Sequence, residues 1–187
     1  MVAAIKKPAI LIGNVNVGKT TIFNNITGKE LKEVKDKETS ISYFKATIKG
    51  SSKPVYDIPG ISGLTICAEE EKTAINLLLN KSVDTIIQVV DAKNLLRSLA
   101  LTLQIAEFGI PTIVALNMID EAQVRGVKID SRKLSERLNL EIIDTIANER
   151  EGTGKLISSI DKARLPSVRA VFPEDIESAI VDISAFF

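Results

Sequence analysis

Histidine and tryptophan are both absent from this 187-residue chain, and Cys67 is its lone cysteine. Without histidine, every catalytic scheme that uses an imidazole is excluded. A single thiol excludes disulfide frameworks and, with no histidine to join it, zinc sites of the Cys/His type. Such usage suits a reducing cytosol. An excess of one charge is lacking too: 24 Lys+Arg balance 24 Asp+Glu. No long stretch builds the positive face that a polyanion binder needs, so no nucleic-acid partner is expected. Long hydrophobic runs are also missing, since no segment approaches the roughly 18 apolar residues that cross a bilayer. The opening MVAAIKKPAILIG has no secretory pattern, because its short apolar run leads into a glycine loop rather than a cleavage site. As given, the chain reads as soluble.

What is present is enough apolar material, 45% of residues, for one substantial core, in a chain too short to promise two full domains. Short β-rich runs at 9–12, 46–48, 54–56, 85–90, 112–116 and 142–143 alternate with helical patterns at 19–26, 70–79, 95–108, 132–138 and near 155–160. That alternation predicts an α/β fold, a mostly parallel six-stranded sheet flanked by helices. Leu95, Leu99, Leu103 and Ala106 recur at helical spacing, and Gly109 and Pro111 stop that helix. The segment 29–38 is dense in charge and reads as a mobile, solvated loop. Beyond Pro166 the pattern changes to a linker entering a new helix with little to pack on, which divides the chain into 1–165 and 166–187.

Gly13-Asn14-Val15-Asn16-Val17-Gly18-Lys19-Thr20 matches G-x-x-x-x-G-K-[ST] between an expected strand and an expected helix, the context this phosphate-binding motif requires. Its glycines let the backbone curl so that successive N–H groups meet phosphate oxygens, and the helix N-terminus, through Thr21, adds its positive dipole end. Lys19 is expected to reach the β- and γ-phosphates, and the Thr20 hydroxyl to take one Mg²⁺ position.

The later Asn117-Met118-Ile119-Asp120 is close to N-K-x-D at the end of a strand. A carboxylate at Asp120 would accept from the N1–H and exocyclic amine of guanine and stay unpaired against adenine, which predicts guanine selectivity. Met118 stands in for a lysine whose stem covers the base. Asp57-Ile58-Pro59-Gly60 fits D-x-x-G, with Asp57 holding Mg²⁺ through water and the Gly60 N–H meeting the γ-phosphate. Ile61 follows, where many GTPases carry a water-orienting Gln, and it cannot orient anything. The base-covering loop is expected at Thr145-Ile146-Ala147-Asn148, and a switch I hydroxyl for Mg²⁺ at Thr39 or Ser40, with Thr39 preferred.

With these residues in place the chain resembles the GTPase domain of the ferrous iron transport protein B family. The resemblance rests on GNVNVGKTTIFNNITG, DIPGISGL, VVDAKNLLRSLALTLQIAEFGIPTIVALNMIDEA and GVKIDSRKLSERL, and covers most of residues 8–165. It implies a Ras-like P-loop fold and slow GTP hydrolysis in which Lys19, Gly60 and Asn16 serve catalysis, with Mg²⁺ as cofactor. For potassium-activated members it further implies a K⁺ ion held by the Asn16 carbonyl. It implies a membrane permease domain in the same parent protein as partner, a cytoplasmic position beside a cell membrane, a possible homo-oligomer in that parent, and a chain that is an excised or truncated piece. This sequence departs from the family in switch I, where a Trp-Pro-Gly-Val-Thr-like run is replaced by KDKETSISYF, and at Val15, where Pro is usual.

Two other function classes stay open at this point. One is an RNA- or ribosome-associated assembly GTPase; the other is a nucleotide-sensing module with negligible turnover, motivated by Ile61 and the divergent switch I. Glu69-Glu70-Glu71 beside Cys67 invites an iron site, but reads better as the acidic first turn of a helix next to a small buried hydrophobe.

Overall fold

The computed structural model describes residues 7–27, 32–35, 42–64, 68–80 and 83–168, together with Pro173, Glu174, Ile176 and Ser178. Seven strands form one sheet: β1 (Ala9–Gly13), β2 (Lys32–Lys35), β3 (Ser42–Thr47), β4 (Pro54–Asp57), β5 (Thr85–Asp91), β6 (Thr112–Asn117) and β7 (Glu141–Thr145), in the order β2-β3-β4-β1-β5-β6-β7. β4, β1, β5, β6 and β7 run parallel. β3 runs antiparallel to β4, and β2 antiparallel to β3. The runs AILIG, TIIQVVD and TIVALN are buried at every residue, as expected of central parallel strands covered on both faces.

The helices are α1 (Lys19–Ile26), α2 (Glu69–Leu79), α3 (Leu95–Ala106), α4 (Ile119–Val124), α5 (Ser131–Leu138) and α6 (Thr153–Ser159). Alternation along the strands decides which helix each side chain meets. Leu11, Ile87, Val89 and Ala115 face Ile22, Phe23 and Ile26 of α1 and Leu156 of α6. Ile10, Ile12 and Ile86 face Ala74, Leu77 and Leu78 of α2 and Leu101 and Ile105 of α3. A third cluster joins Val90, Val114, Leu116 and Ile142 to Ala122 of α4 and Leu140.

All six expected strands are present, and the sheet gains a seventh from the segment read as a solvated loop. β2 is KEVK, paired with β3 from Lys32↔Lys45 to Lys35↔Ser42. Edge pairing is made by backbone groups and does not require apolar side chains, and lysines are common on edges because they discourage further pairing. α4 also lies outside the expected helices; it is a single short element that begins inside the NMID motif. Glu174, Ile176 and Ser178 have helical backbone and are exposed. Among the described residues, no helix is long and apolar enough to cross a membrane.

Candidate functional site

Gly13, Asp57, Asp91, Asn117 and Thr145 are each the last residue of a parallel strand, so the motifs converge at the carboxyl ends of the strands, where open α/β sheets bind ligands. The turn from β1 into α1 forms a cavity of about 330 Å³ lined by Asn14, Val15, Asn16, Gly18, Lys19, Thr20, Thr21 and Gly60. Gly18 caps α1 in the left-handed region at φ 82°, and a Cβ there would run into the Asn117 side-chain amide. Asn16 is also left-handed at φ 64°, a conformation asparagine tolerates better than most residues. Its side chain is exposed and makes no hydrogen bond among the described residues. Val15 is exposed and Val17 is buried in the core.

On the phosphate side, Lys19 and Asp57 are both buried and paired with each other. Burial pushes the Asp57 carboxyl above its ordinary value, and the charge and hydrogen bond of Lys19 oppose that rise. Thr20 is exposed at the start of α1, so a hydroxyl and a carboxylate, both hard oxygen donors suited to Mg²⁺, flank the phosphate turn. Gly60 is pressed against that turn, since a Cβ on it would fall 2.9 Å from Val15 Cα. Ile61 points into the core at 2% exposure, and its N–H donates to the Gly13 carbonyl at 3.1 Å. β3 runs antiparallel to β4 with Phe44 opposite Asp57, so the chain enters β3 at the phosphate end of the sheet. Thr39, Ser40 and Cys67 lie outside the described residues.

The base side is organised by Asn117, which is 1% exposed. Its Nδ2 donates to the Val17 carbonyl at 3.0 Å, and its Oδ1 accepts from Thr145 Oγ1 at 3.2 Å and from the Ala147 N–H at 3.0 Å. Met118 is left-handed at φ 62°, caps α4, and lays its methyl beside Gly18. Asp120 sits half-buried in the first turn of α4 with no partner among the described residues, an unengaged acceptor. Ile146 exchanges two backbone bonds with Glu151, and Asn148 is exposed on the turn between them.

Asn25 was not among the expected site residues. It is 8% exposed, and its Nδ2 donates to the Ala147 carbonyl at 2.7 Å, so that the base loop is gripped from α1 as well as from Asn117. The available signal was a polar residue at a buried position of the helical pattern. Glu69, Glu70 and Glu71 form the first turn of α2, where Glu71 Oε2 accepts from the Ala68 N–H at 3.3 Å.

A family model described as ferrous iron transport protein B matches residues 7–160. The chain belongs to the ferrous iron transport protein B family. The Fe(2+) transporter FeoB of Staphylococcus aureus strain MSSA476 is 34% identical over 173 residues, which are 91% of this chain and 26% of that protein. That of Escherichia coli strain K12 is 37% identical over 165 residues, 81% of this chain and 20% of that protein. The chain therefore spans about a quarter or less of these relatives. Among solved structures, an S. thermophilus NFeoB mutant bound to GDP superposes with a TM-score of 0.84 at 34% identity, covering 95% of this chain and 70% of that one. The FeoB G-domain from Methanococcus jannaschii gives 0.73 at 34% identity, covering 85% and 97%. The fold is thus that of an FeoB G-domain, a Ras-like P-loop GTPase fold.

Proposed function

We propose that this chain binds GTP and GDP and hydrolyses GTP, as the G domain of a ferrous iron transporter. The observation that carries this reading is the convergence, at one end of one sheet, of a phosphate turn, a D-x-x-G strand end and Asn117-Met118-Ile119-Asp120, in a chain whose relatives include a GDP-bound G domain. Residues 1–165 act as this domain, and 166–187 form a linker and a helical segment beside it. The parent protein carries the permease for Fe²⁺ in a cell membrane, and the G domain stands on its cytosolic side.

In this reading the phosphate chain lies in the turn from Gly13 to Thr21, where backbone N–H groups and the start of α1 meet its charge. Lys19 exchanges its Asp57 partner for phosphate oxygens, and the Gly60 N–H turns to the third phosphate. Thr20, and Asp57 through water, would hold Mg²⁺, which would supply neutralisation of phosphate charge. Asp120 reads guanine, with Met118 and the turn Ile146-Ala147-Asn148 around the base. With no glutamine at Ile61, unassisted turnover is slow, on the order of 10⁻⁴ to 10⁻² s⁻¹.

Asn16 would hold K⁺, which would supply positive charge beside the phosphates. Its carbonyl is exposed beside the phosphate turn and unengaged, as an ion ligand requires. Because the residue is left-handed, Asn16→Gly is the informative substitution: it permits the same backbone conformation and removes the side chain with its amide. GTP hydrolysis by the unmodified chain is expected to run severalfold faster in K⁺ than in Na⁺ at equal ionic strength. Asn16→Gly should abolish that difference and keep GDP binding. Equal rates in both salts would reduce Asn16 to a loop-shaping residue, and absence of GDP binding would sink the nucleotide reading itself.

A further inference from the structure

Asn14 occupies the second position of the phosphate-turn motif, where the pattern makes no demand on residue type. The residue is nevertheless 3% exposed. Its Nδ2 donates to the Ile61 carbonyl at 3.1 Å and reaches the Ser62 carbonyl at 3.5 Å, while Oδ1 has no hydrogen-bond partner among the described residues. Both neighbours are carbonyls, so only the NH₂ end of the amide can face them, and the orientation of the side chain is forced. Of this buried amide, the donor end is therefore the one that the described residues engage.

The residue it holds is fixed in two further ways. The Ile61 N–H donates to Gly13 O at 3.1 Å, and its side chain lies in the core. Gly60, one residue earlier, packs on Val15. Three residues later the Leu64 N–H donates to Gln104 Oε1 on α3 at 2.9 Å. The segment from Gly60 to Leu64 is therefore tied to the phosphate turn at one end and to α3 at the other.

Resting on the nucleotide reading above, we propose that Asn14 is a positioning residue for the triphosphate state. Its side-chain amide fastens the Ile61 carbonyl to the phosphate turn and so sets where the Gly60 N–H stands. Asn14 reaches the third phosphate only through Gly60. GDP has no third phosphate, so the tether matters for GTP and is silent for GDP. That asymmetry separates it from a role in shaping the turn, which both nucleotides share.

The test compares Asn14→Ala and the isosteric Asn14→Asp by affinity for GDP and GTPγS and by single-turnover GTP hydrolysis. For Asn14→Ala, GDP affinity should stay within about twofold of wild type, while GTPγS binding weakens about fivefold and hydrolysis slows about tenfold, the scale of one or two lost hydrogen bonds. Asn14→Asp should fail as fully as Asn14→Ala, because it sets a carboxylate oxygen against the Ile61 carbonyl. A wild-type-like Asn14→Asp, or equal loss of GDP and GTPγS in Asn14→Ala, would overturn the proposal in favour of packing or turn shape. Should either variant not fold, the side-chain amide signal of Asn14 in the ¹⁵N-labelled wild type decides: protection from exchange and a shift when GTPγS replaces GDP support the tether, and a rapidly exchanging, unshifted signal overturns it. A wild type that binds both nucleotides without turnover counts against the hydrolysis reading and leaves the affinity ratio to judge Asn14.

Discussion

The base side and the phosphate side of this site are built to different degrees. Around the base, every polar atom of the Asn117 amide is engaged, and Ala147 is gripped at its N–H by Asn117 and at its carbonyl by Asn25. Around the phosphates, Lys19 is occupied by Asp57, and among the described residues Asn14 Oδ1 is unpartnered and Asn16 unengaged. The first is finished before any ligand arrives, save for Asp120, which has no partner among the described residues. The second holds internal partners that a ligand must replace, which is the arrangement expected of a part that changes with nucleotide state. On the proposed reading, recognition of the base is thus a property of the fold, and response to the third phosphate a property of exchangeable contacts.

The comparison is most exposed at Asn117. Asn117→Ala leaves the Val17 carbonyl, the Thr145 hydroxyl and the Ala147 N–H without partners, and should cost about 3 kcal/mol in urea unfolding. A cost under about 1 kcal/mol would mean that the base side is no more finished than the phosphate side. Next is Asp120→Asn, which should weaken GDP binding by about 100-fold and gain xanthosine diphosphate, because the 2-oxo group of xanthine accepts where the amine of guanine donates. Its unfolding free energy should move by less than about 0.5 kcal/mol, since Asp120 has no partner to lose among the described residues. Native GDP affinity in that variant would remove Asp120 from the base site.

Ile61→Ala sharpens the phosphate half. It opens a cavity in the core and should cost about 2 kcal/mol of stability. Well below the melting temperature its turnover should stay within about threefold of wild type, far from the roughly 100-fold of a lost direct donor. A hundredfold slowing would place the Ile61 side chain in the water site after all. The smallest effect belongs to Arg132→Ala, outside both halves. Its ion pair with Glu136 spans one exposed turn of α5 at 3.2 Å, and its loss should register under about 0.5 kcal/mol by thermal unfolding.

Much of this could be read from the chain alone, for a physical reason. The strand-turn-helix around Lys19 and the strand ends at Asp57 and Asn117 are set by local patterns, apolar alternation interrupted by glycine and polar residues, and those patterns are written consecutively. β2 escaped because an edge strand of Lys-Glu-Val-Lys is held by backbone bonds that leave no mark in hydropathy. α4 escaped because its first turn coincides with the motif residue Asp120. Asn25, and the side-chain contact of the motif residue Asn14, escaped differently: a motif records which residue stands where, and says nothing of an amide whose partner is 47 or 122 positions away.

The bond from Asn117 to Val17 joins residues 100 positions apart. It follows that the phosphate turn, though encoded within the first two dozen residues, has no finished shape until β6 is in place beside it, and its Ala147 counterpart is later still. Contacts so distant in sequence form late, and synthesis proceeds from the N-terminus at about 5–20 residues per second. A ribosome making this protein therefore carries the motif for several seconds before it carries the site. Nucleotide in the cell can stabilise only chains that have passed that point, so capture of GTP or GDP marks completion of folding and cannot guide its start.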